Sequence, residues 1–244
     1  MSEGLKQQKQ ISIYNLLIID ESGSMQGIYK QALTGINETL NTIRSNQEKH
    51  PEQQHHFVSI ATFEGTGHDA VKLRRDRIPI DKVSDMTTKD YNPGGCTPLY
   101  DAMGISINHL ERCMEDNALA FVTVITDGYE NASSEFSGSA IKELVSRKRE
   151  SGWTFAYIGA NQDAIEVAQE LNISNALNFD ASPEGTVEMM AKYKKANSKF
   201  AETISFKMAA PSVNMCNMGV EDIFEEGDGQ VVKSLANKIF NSKD

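Results

Sequence analysis

Positive charge is in short supply in this sequence. Over 244 residues, 24 Lys and Arg stand against 34 Asp and Glu, a formal net charge of −10 at pH 7. The shortage argues against nucleic acid as a partner, because phosphate binding needs clustered Lys and Arg. It suits a chain that binds cations. Cysteine is scarce as well: Cys96, Cys113 and Cys216 are the only ones, have no metal-ligand spacing and cannot all pair with one another. That usage points to a reducing, cytoplasmic compartment. Long apolar runs are missing, and none approaches the roughly 20 residues of a membrane helix. The opening "MSEGLKQQKQ" lacks the apolar core of a secretory signal. The expectation is a soluble cytoplasmic protein with no membrane partner.

What is present is an alternation of short apolar runs with longer amphipathic stretches. "SIYNLLIID" (12–20) predicts a strand, and Ile28, Ala32, Ile36, Leu40 and Ile43 then fall at helical spacing. "HHFVSIATF" (55–63) predicts a second strand, and "HDAVKLRRD" alternates like the return arm of a hairpin. Its Lys72, Arg74 and Arg75 read as guards of a sheet edge. A Pro- and Gly-rich loop, "KDYNPGGCTPLYD", opens into a helix with Leu99, Met103, Ile107, Leu110 and Met114 on one stripe. "ALAFVTVIT" (118–126) is continuous and β-branched, as a strand buried on both faces should be. Helices near 138–150, 162–171 and 184–202 alternate with strands "WTFAYIGA" and "ALNFD". This order predicts an α/β fold: a doubly wound, mostly parallel sheet with one antiparallel edge strand and helices on both faces. Residues 1–10 form a polar tail, 11–202 the domain, and 203–244 an extension. A terminal helix is expected there, with Asp228 as N-cap and Val231, Leu235 and Ile239 on one face.

In such a sheet ligands bind at the carboxyl ends of the strands. Three polar clusters fall there: Asp20, Ser22 and Ser24 after the first strand, Thr97 at the end of its loop, and Asp127 after "FVTVIT". Two carboxylates and three hydroxyls are hard oxygen donors, and no His or Cys sits at a matching position. The ion they suit is Mg²⁺ or a similar hard divalent cation, with Mn²⁺ or Ca²⁺ as alternatives. Gly23, Gly94, Gly95 and Gly128 allow close backbone approach around the same positions.

"DESGS", "GGCTPLYDA" and "VITDG" resemble the metal-ion-dependent adhesion site of von Willebrand factor type A domains, whose pattern is Asp-x-Ser-x-Ser, a distant Thr and a distant Asp. All five positions are matched, and the element order agrees over about residues 10–202, most of the chain. The likeness is to the intracellular, bacterial-type, single-domain members with a Rossmann-like sheet. It implies that Ser22, Ser24 and Thr97 contact Mg²⁺ directly while Asp20 and Asp127 act from behind. It further implies a module without enzymatic activity that grips an Asp or Glu of a partner protein, in an AAA+ ATPase or stress-response assembly.

Two other functions are weighed against this one. A Mg²⁺-dependent phosphohydrolase of the haloacid dehalogenase type also begins with an Asp at the end of its first strand, but needs a second Asp where Ser22 stands. No Lys or Arg lies near the clusters to stabilise a phosphoryl group in transfer, and there is no phosphate-binding loop. A metal-free scaffold is the third reading. Among neighbouring residues, Glu21 is expected to face solvent or cap the next turn, Cys96 to be small and buried, and Asp101 to favour a helix N-terminus. Asp163 reads as a first-turn helix residue, and His55 and His56 as plain strand residues. Glu221, Asp222, Glu225 and Glu226 are carboxylates of the extension, one of which could reach the site; a solvated acidic linker is the simpler reading.

Overall fold

The computed structural model describes residues 10–67, 69–160, 164–209, 214–221 and 223–224. Six strands form one sheet: β1 Ile11–Asp20, β2 Gln54–Phe63, β3 Val71–Pro79, β4 Leu119–Thr126, β5 Thr154–Ala160 and β6 Asn175–Phe179. Their order is β3-β2-β1-β4-β5-β6, and every pairing is parallel except β2 with β3. The chain steps outward from β1 to β2 and then returns to the other side of β1 for β4. That reversal opens a crevice between the carboxyl ends of β1 and β4, where open α/β sheets take ligands. The antiparallel edge strand β3 carries register shifts between Val58 and Ile60 and between Ile60 and Ala61. Bulges of this kind twist an edge strand and blunt it against further pairing.

The sheet is apolar on both faces because both are covered. β4 is buried at every position. In β1 the odd positions Ile11, Ile13, Leu17 and Ile19 pack in one layer with α1 (Tyr29–Lys49) and α5 (Pro183–Met208). Its even positions Tyr14, Leu16 and Ile18 pack with α2 (Leu99–Cys113), α3 (Gly138–Glu150) and α4 (Ala164–Glu170). The period of two in a strand makes this division automatic. In α1 the stripe Ala32, Ile36, Leu40 and Ile43 is buried as its spacing predicts. A short 3-10 helix, Gly23–Ile28, precedes it, so the helix starts at Tyr29 rather than Ile28 and runs on to Lys49. Ser137 and Ser182 cap α3 and α5, their hydroxyls accepting from the N–H groups of Ala140 (3.3 Å) and Gly185 (3.0 Å).

The α1/α5 layer also holds a buried polar seam. Thr123 and Tyr193 share a hydroxyl contact of 2.8 Å, Asn46 donates to Asn197 Oδ1 at 2.9 Å, and Gln54 donates to the Ala201 carbonyl at 2.7 Å. His56 belongs to this seam. Its Nε2–H donates to Gln54 Oε1 at 2.8 Å, and its Nδ1 accepts from Asn15 Nδ2 at 3.2 Å. Burial, with His55 and His50 adding to the effect, pushes His56 down to about 3, so it is a neutral structural residue.

Helix α5, expected to end near 202, continues to Met208, since Ile204 and Ser205 extend its buried stripe. The aperiodic stretch beyond it, expected as an extension, is packed where the structure describes it. Met218, Val220, Ile223 and Phe224 join the α1/α5 core layer. The Val220 N–H donates to Thr154 Oγ1 at 2.8 Å, and Asn175 holds the Val220 carbonyl at 3.3 Å and the Ile223 N–H at 3.2 Å. Those contacts lie at the amino ends of β5 and β6, the edge opposite the crevice. Glu221 is ion-paired with Arg149 on that edge rather than placed near the site. The expected terminal helix, with Asp228, Val231, Leu235 and Ile239, lies outside the described residues, as do Asp222, Glu225, Glu226, Asp163 and most of the N-terminal tail.

Candidate metal centre

The crevice between β1 and β4 is built from the ends of those strands outward. Register pairs Ile19 with Ile125, which sets Asp20 beside Thr126. Both oxygens of the buried Asp20 carboxylate are held: Oδ1 accepts the Ser22 backbone N–H at 2.7 Å and Oδ2 accepts the Thr126 hydroxyl at 2.6 Å. One turn on, the Ser24 hydroxyl donates to Asp127 Oδ1 at 2.5 Å and lies 3.1 Å from the Ser22 hydroxyl. The first of these is as short as a hydroxyl–carboxylate bond ordinarily becomes. Thr97 arrives from the loop before α2 and is locked by Asn131. Its N–H donates to Asn131 Oδ1 at 2.9 Å, and its carbonyl accepts the Asn131 N–H at 3.1 Å.

Asp20, Ser22, Ser24, Thr97 and Asp127 therefore meet at one place, and Gly128 marks its centre. A methyl group on Gly128 would stand 3.3 Å from Thr97 Oγ1, 3.7 Å from Ser24 Oγ and 3.9 Å from Asp20 Oδ2. Oxygens from the 20–24 turn and from the Thr97 loop thus come within 4 Å of one point beside Gly128. The electrostatics fit a cation there. Burial pushes the Asp20 carboxyl up to about 6, hydrogen bonds from Thr126 and Ser22 working against the rise and the Asp127 charge adding to it. Burial raises Asp127 as well, opposed by the Ser24 hydroxyl. Among the described residues, neither carboxylate belongs to an ion pair. Nor do the described residues gather three or more His, Cys, Asp or Glu side chains into one group. The donor set is thus mixed hydroxyl and carboxylate, all hard oxygen, and suits a small hard divalent cation.

Several residues around the centre depart from expectation. Glu21 is buried, not solvent-facing. Its carboxylate accepts from Arg74 Nη2 at 3.1 and 2.8 Å and from the Asn92 N–H. Its backbone N–H reaches the Phe63 carbonyl at 2.9 Å, and its carbonyl accepts the Gly94 N–H at 2.8 Å. One residue thus ties the 20–24 turn to β2, to β3 and to the loop that carries Thr97. Arg74 accordingly serves the site's scaffold rather than guarding the edge, while Lys72 pairs with Glu64 at 2.7 Å and Arg75 with Asp90 at 3.3 Å. Tyr91, buried, donates its hydroxyl to the Asp20 carbonyl at 2.8 Å. Cys96 is exposed, because the neighbouring Gly95 has φ +72° and a Cβ there would lie 2.5 Å from Glu64 Oε2, so the loop crosses close over Glu64. Asp101 is buried in the first turn of α2 and accepts the N–H groups of Ser134, Glu135 and Phe136 at 2.8–2.9 Å. It anchors a loop more than it serves the helix. Thr126, outside the five expected positions, also belongs to the centre, and its sequence signal is a hydroxyl at the end of an otherwise apolar strand directly before Asp127.

The fold and the sequence have known counterparts. The chain is similar in fold to a mutant of the PilB minor pilin from Streptococcus sanguinis, with a TM-score of 0.55 at 13% identity over 78% of this chain and 62% of that one. The SpRpn10 VWA domain aligns with a TM-score of 0.53 at 13% identity, over 74% of this chain and 94% of that one. Proximal thread matrix protein 1 from the mussel byssus, in a structure with a zinc-occupied MIDAS motif, aligns with a TM-score of 0.51 at 14% identity, over 76% and 48% of the two chains. The chain spans less than two-thirds of the length of the pilin and of the byssus protein. Among curated proteins there is no match in sequence. The family model of the von Willebrand factor type A domain matches residues 16–199, from the middle of β1 to the last turns of α5. The chain belongs to the von Willebrand factor type A domain family.

Proposed function

We propose that this chain is a metal-dependent protein-binding module with Mg²⁺ as its cation, Mn²⁺ or Ca²⁺ as substitutes, and an Asp or Glu of a partner protein as its ligand. The observation that carries the reading is the convergence of Thr97 Oγ1, Ser24 Oγ and Asp20 Oδ2 within 4 Å of one point beside Gly128. Ser22, Ser24 and Thr97 would hold the cation, with Asp20 and Asp127 behind them. When bound, the cation supplies a Lewis-acidic position for a carboxylate oxygen from another protein. The chain's own contribution is the choice of neutral hydroxyls for the near donors, which leaves positive charge unquenched on the outward side. Asp20, fixed through both oxygens, and Tyr91 beneath it keep the turn from collapsing. The zinc-occupied motif named for the byssus protein supports a divalent cation at such a site.

The module turns over no substrate in this reading. Ser22 stands where a phosphohydrolase of the haloacid dehalogenase type needs an acid, and the Arg74 guanidinium is committed to Glu21. Three unpaired cysteines support a reducing cytoplasmic setting, and the proposed partner is a subunit of an AAA+ or stress-response assembly. Calorimetric titration with Mg²⁺ tests the core of the proposal. Binding is expected in the wild-type chain and lost in the Asp20→Ala, Ser22→Ala double variant. Unchanged affinity would overturn it. Because Asp20 is buried, Ser22→Ala with Ser24→Ala serves as a second variant that keeps both carboxylates.

A further inference from the structure

We infer that Tyr129 is the specificity-determining contact beside the metal centre, and that the partner presents its acidic residue in a peptide segment with an apolar or aromatic side chain next to it. The inference rests on the metal-dependent reading above and adds the chemistry of what flanks the carboxylate. Tyr129 directly follows Gly128, the residue at the centre of the oxygen cluster, and is 59% exposed. Among the described residues, the other large hydrophobic side chains comparably exposed are Leu73 on β3 and Val187 and Phe206 on α5. Scattered exposed apolar residues need no explanation; one that directly follows a residue bordered by the oxygen cluster does.

The platform under Tyr129 is unusually well held. The Glu130 carboxylate accepts the N–H groups of Tyr100, Ala132 and Ser133 at 3.0, 2.8 and 2.7 Å and the Ser133 hydroxyl at 2.6 Å. Asn131 is bonded both ways to Thr97, the Asp101 N–H donates to Ser133 Oγ at 3.0 Å, and Asp101 holds the three N–H groups that follow. Two consequences follow. Tyr129 stands on backbone already ordered before binding, so little entropy is lost when a partner packs against it. Two acids of the platform, Asp101 and Glu130, have their carboxylates fixed by internal N–H groups, which hold their charge inside the loop rather than leave it free to swing toward an incoming carboxylate. The opposite rim, Gly23, Ser24, Gly95 and Cys96, is small and exposed, which leaves Tyr129 as the side chain with area to offer. Tyrosine is among the side chains that most often carry binding energy at an interface.

The test uses fluorescently labelled peptides with a single Glu flanked on either side by Phe, Leu, Ser or Lys, titrated with the full chain in Mg²⁺ and in EDTA. Calorimetry of Mg²⁺ alone runs in parallel. The Phe- and Leu-flanked peptides are expected to bind roughly tenfold more tightly than the Ser-flanked one. Tyr129→Ser should erase that preference, and Tyr129→Phe should keep it, both with wild-type Mg²⁺ affinity. A flank preference that survives Tyr129→Ser overturns the inference. So does Mg²⁺-dependent binding that ignores the flanks, or Mg²⁺ binding without any peptide binding, and in those cases the metal centre itself stands. Absence of Mg²⁺ binding in the wild-type chain overturns the metal-dependent reading and this one with it.

Discussion

Replacing Glu21 with alanine should cost the fold about 3 kcal/mol. The figure follows from what the carboxylate holds. The Glu21 side chain is 1% exposed and that of its partner Arg74 is 21% exposed, with the guanidinium at 2.8 Å. Removing one member of a buried ion pair costs roughly 3–5 kcal/mol, because the remaining charge is left without compensation. The partial exposure of Arg74, and the bond its Nε keeps to Thr62 Oγ1 at 2.9 Å, put this case at the low end. In a chain of this size about 1 kcal/mol moves Tm by about 2–4 °C, so thermal denaturation followed by circular dichroism should register a fall of roughly 6–12 °C. A second variant separates charge from connection. Glu21→Met combined with Arg74→Met removes both charges, and most of the lost stability should return. Mg²⁺ affinity should stay weak in both, because each removes the carboxylate that holds the Asn92 N–H and so loosens the tie between the 20–24 turn and the loop bearing Thr97. The reasoning is refuted if the single variant stays within about 1 kcal/mol of wild type, or if the double variant is no more stable than the single.

Thr126→Val removes the bond to Asp20 Oδ2 at nearly constant volume. Calorimetry should find Mg²⁺ affinity roughly 10–100-fold lower, as for other residues that orient ligands, with a stability loss of about 1 kcal/mol by urea denaturation. Gly128→Ala places a methyl 3.3 Å from Thr97 Oγ1 and should lower Mg²⁺ affinity by roughly tenfold or more. His56 should make the fold acid-sensitive. Its folded-state value of about 3 lies below the ordinary 6.5, so the unfolded chain takes up the proton first. Stability from this residue is therefore complete above pH 6.5 and falls as pH drops, by about 3 kcal/mol at pH 4. Urea denaturation at stepped pH should give a flatter profile for His56→Gln than for wild type; equal slopes would exclude His56 as the cause.

The sheet and its helices were legible because β1 and β2, covered on both faces, read as short apolar runs, while α1 and α2 bury one stripe and repeat at near four positions. β4, apolar at successive positions, could be read as central for the same reason. That the five candidate positions come together was legible because their residue types are otherwise odd at the ends of apolar strands. Glu21 was not. Its neighbours in sequence are polar, and nothing local reveals that Arg74, 53 positions away, meets it. Cys96 was misjudged because exposure there depends on how Gly95 turns the loop over Glu64. The stretch after 203 has no period because its buried residues, Met218, Val220, Ile223 and Phe224, sit on irregular backbone satisfied by Thr154 and Asn175. Side-chain partners of that kind leave no repeat to find.

That last segment bears on how the domain is made. The family match stops at 199, yet the core layer between the sheet and α5 is not closed until Ile223 and Phe224 are in place. A ribosome releases the strands in order and supplies these closing residues only after all six strands and α5, so the nascent chain holds an open apolar seam beside β5 and β6 until then. Fragments cut at the end of the match would keep that seam for good, with Asn175 Oδ1 and Thr154 Oγ1 losing the Ile223 and Val220 N–H groups they accept. Such fragments should be recovered as aggregates or chaperone clients, whereas chains that reach residue 224 should be monodisperse.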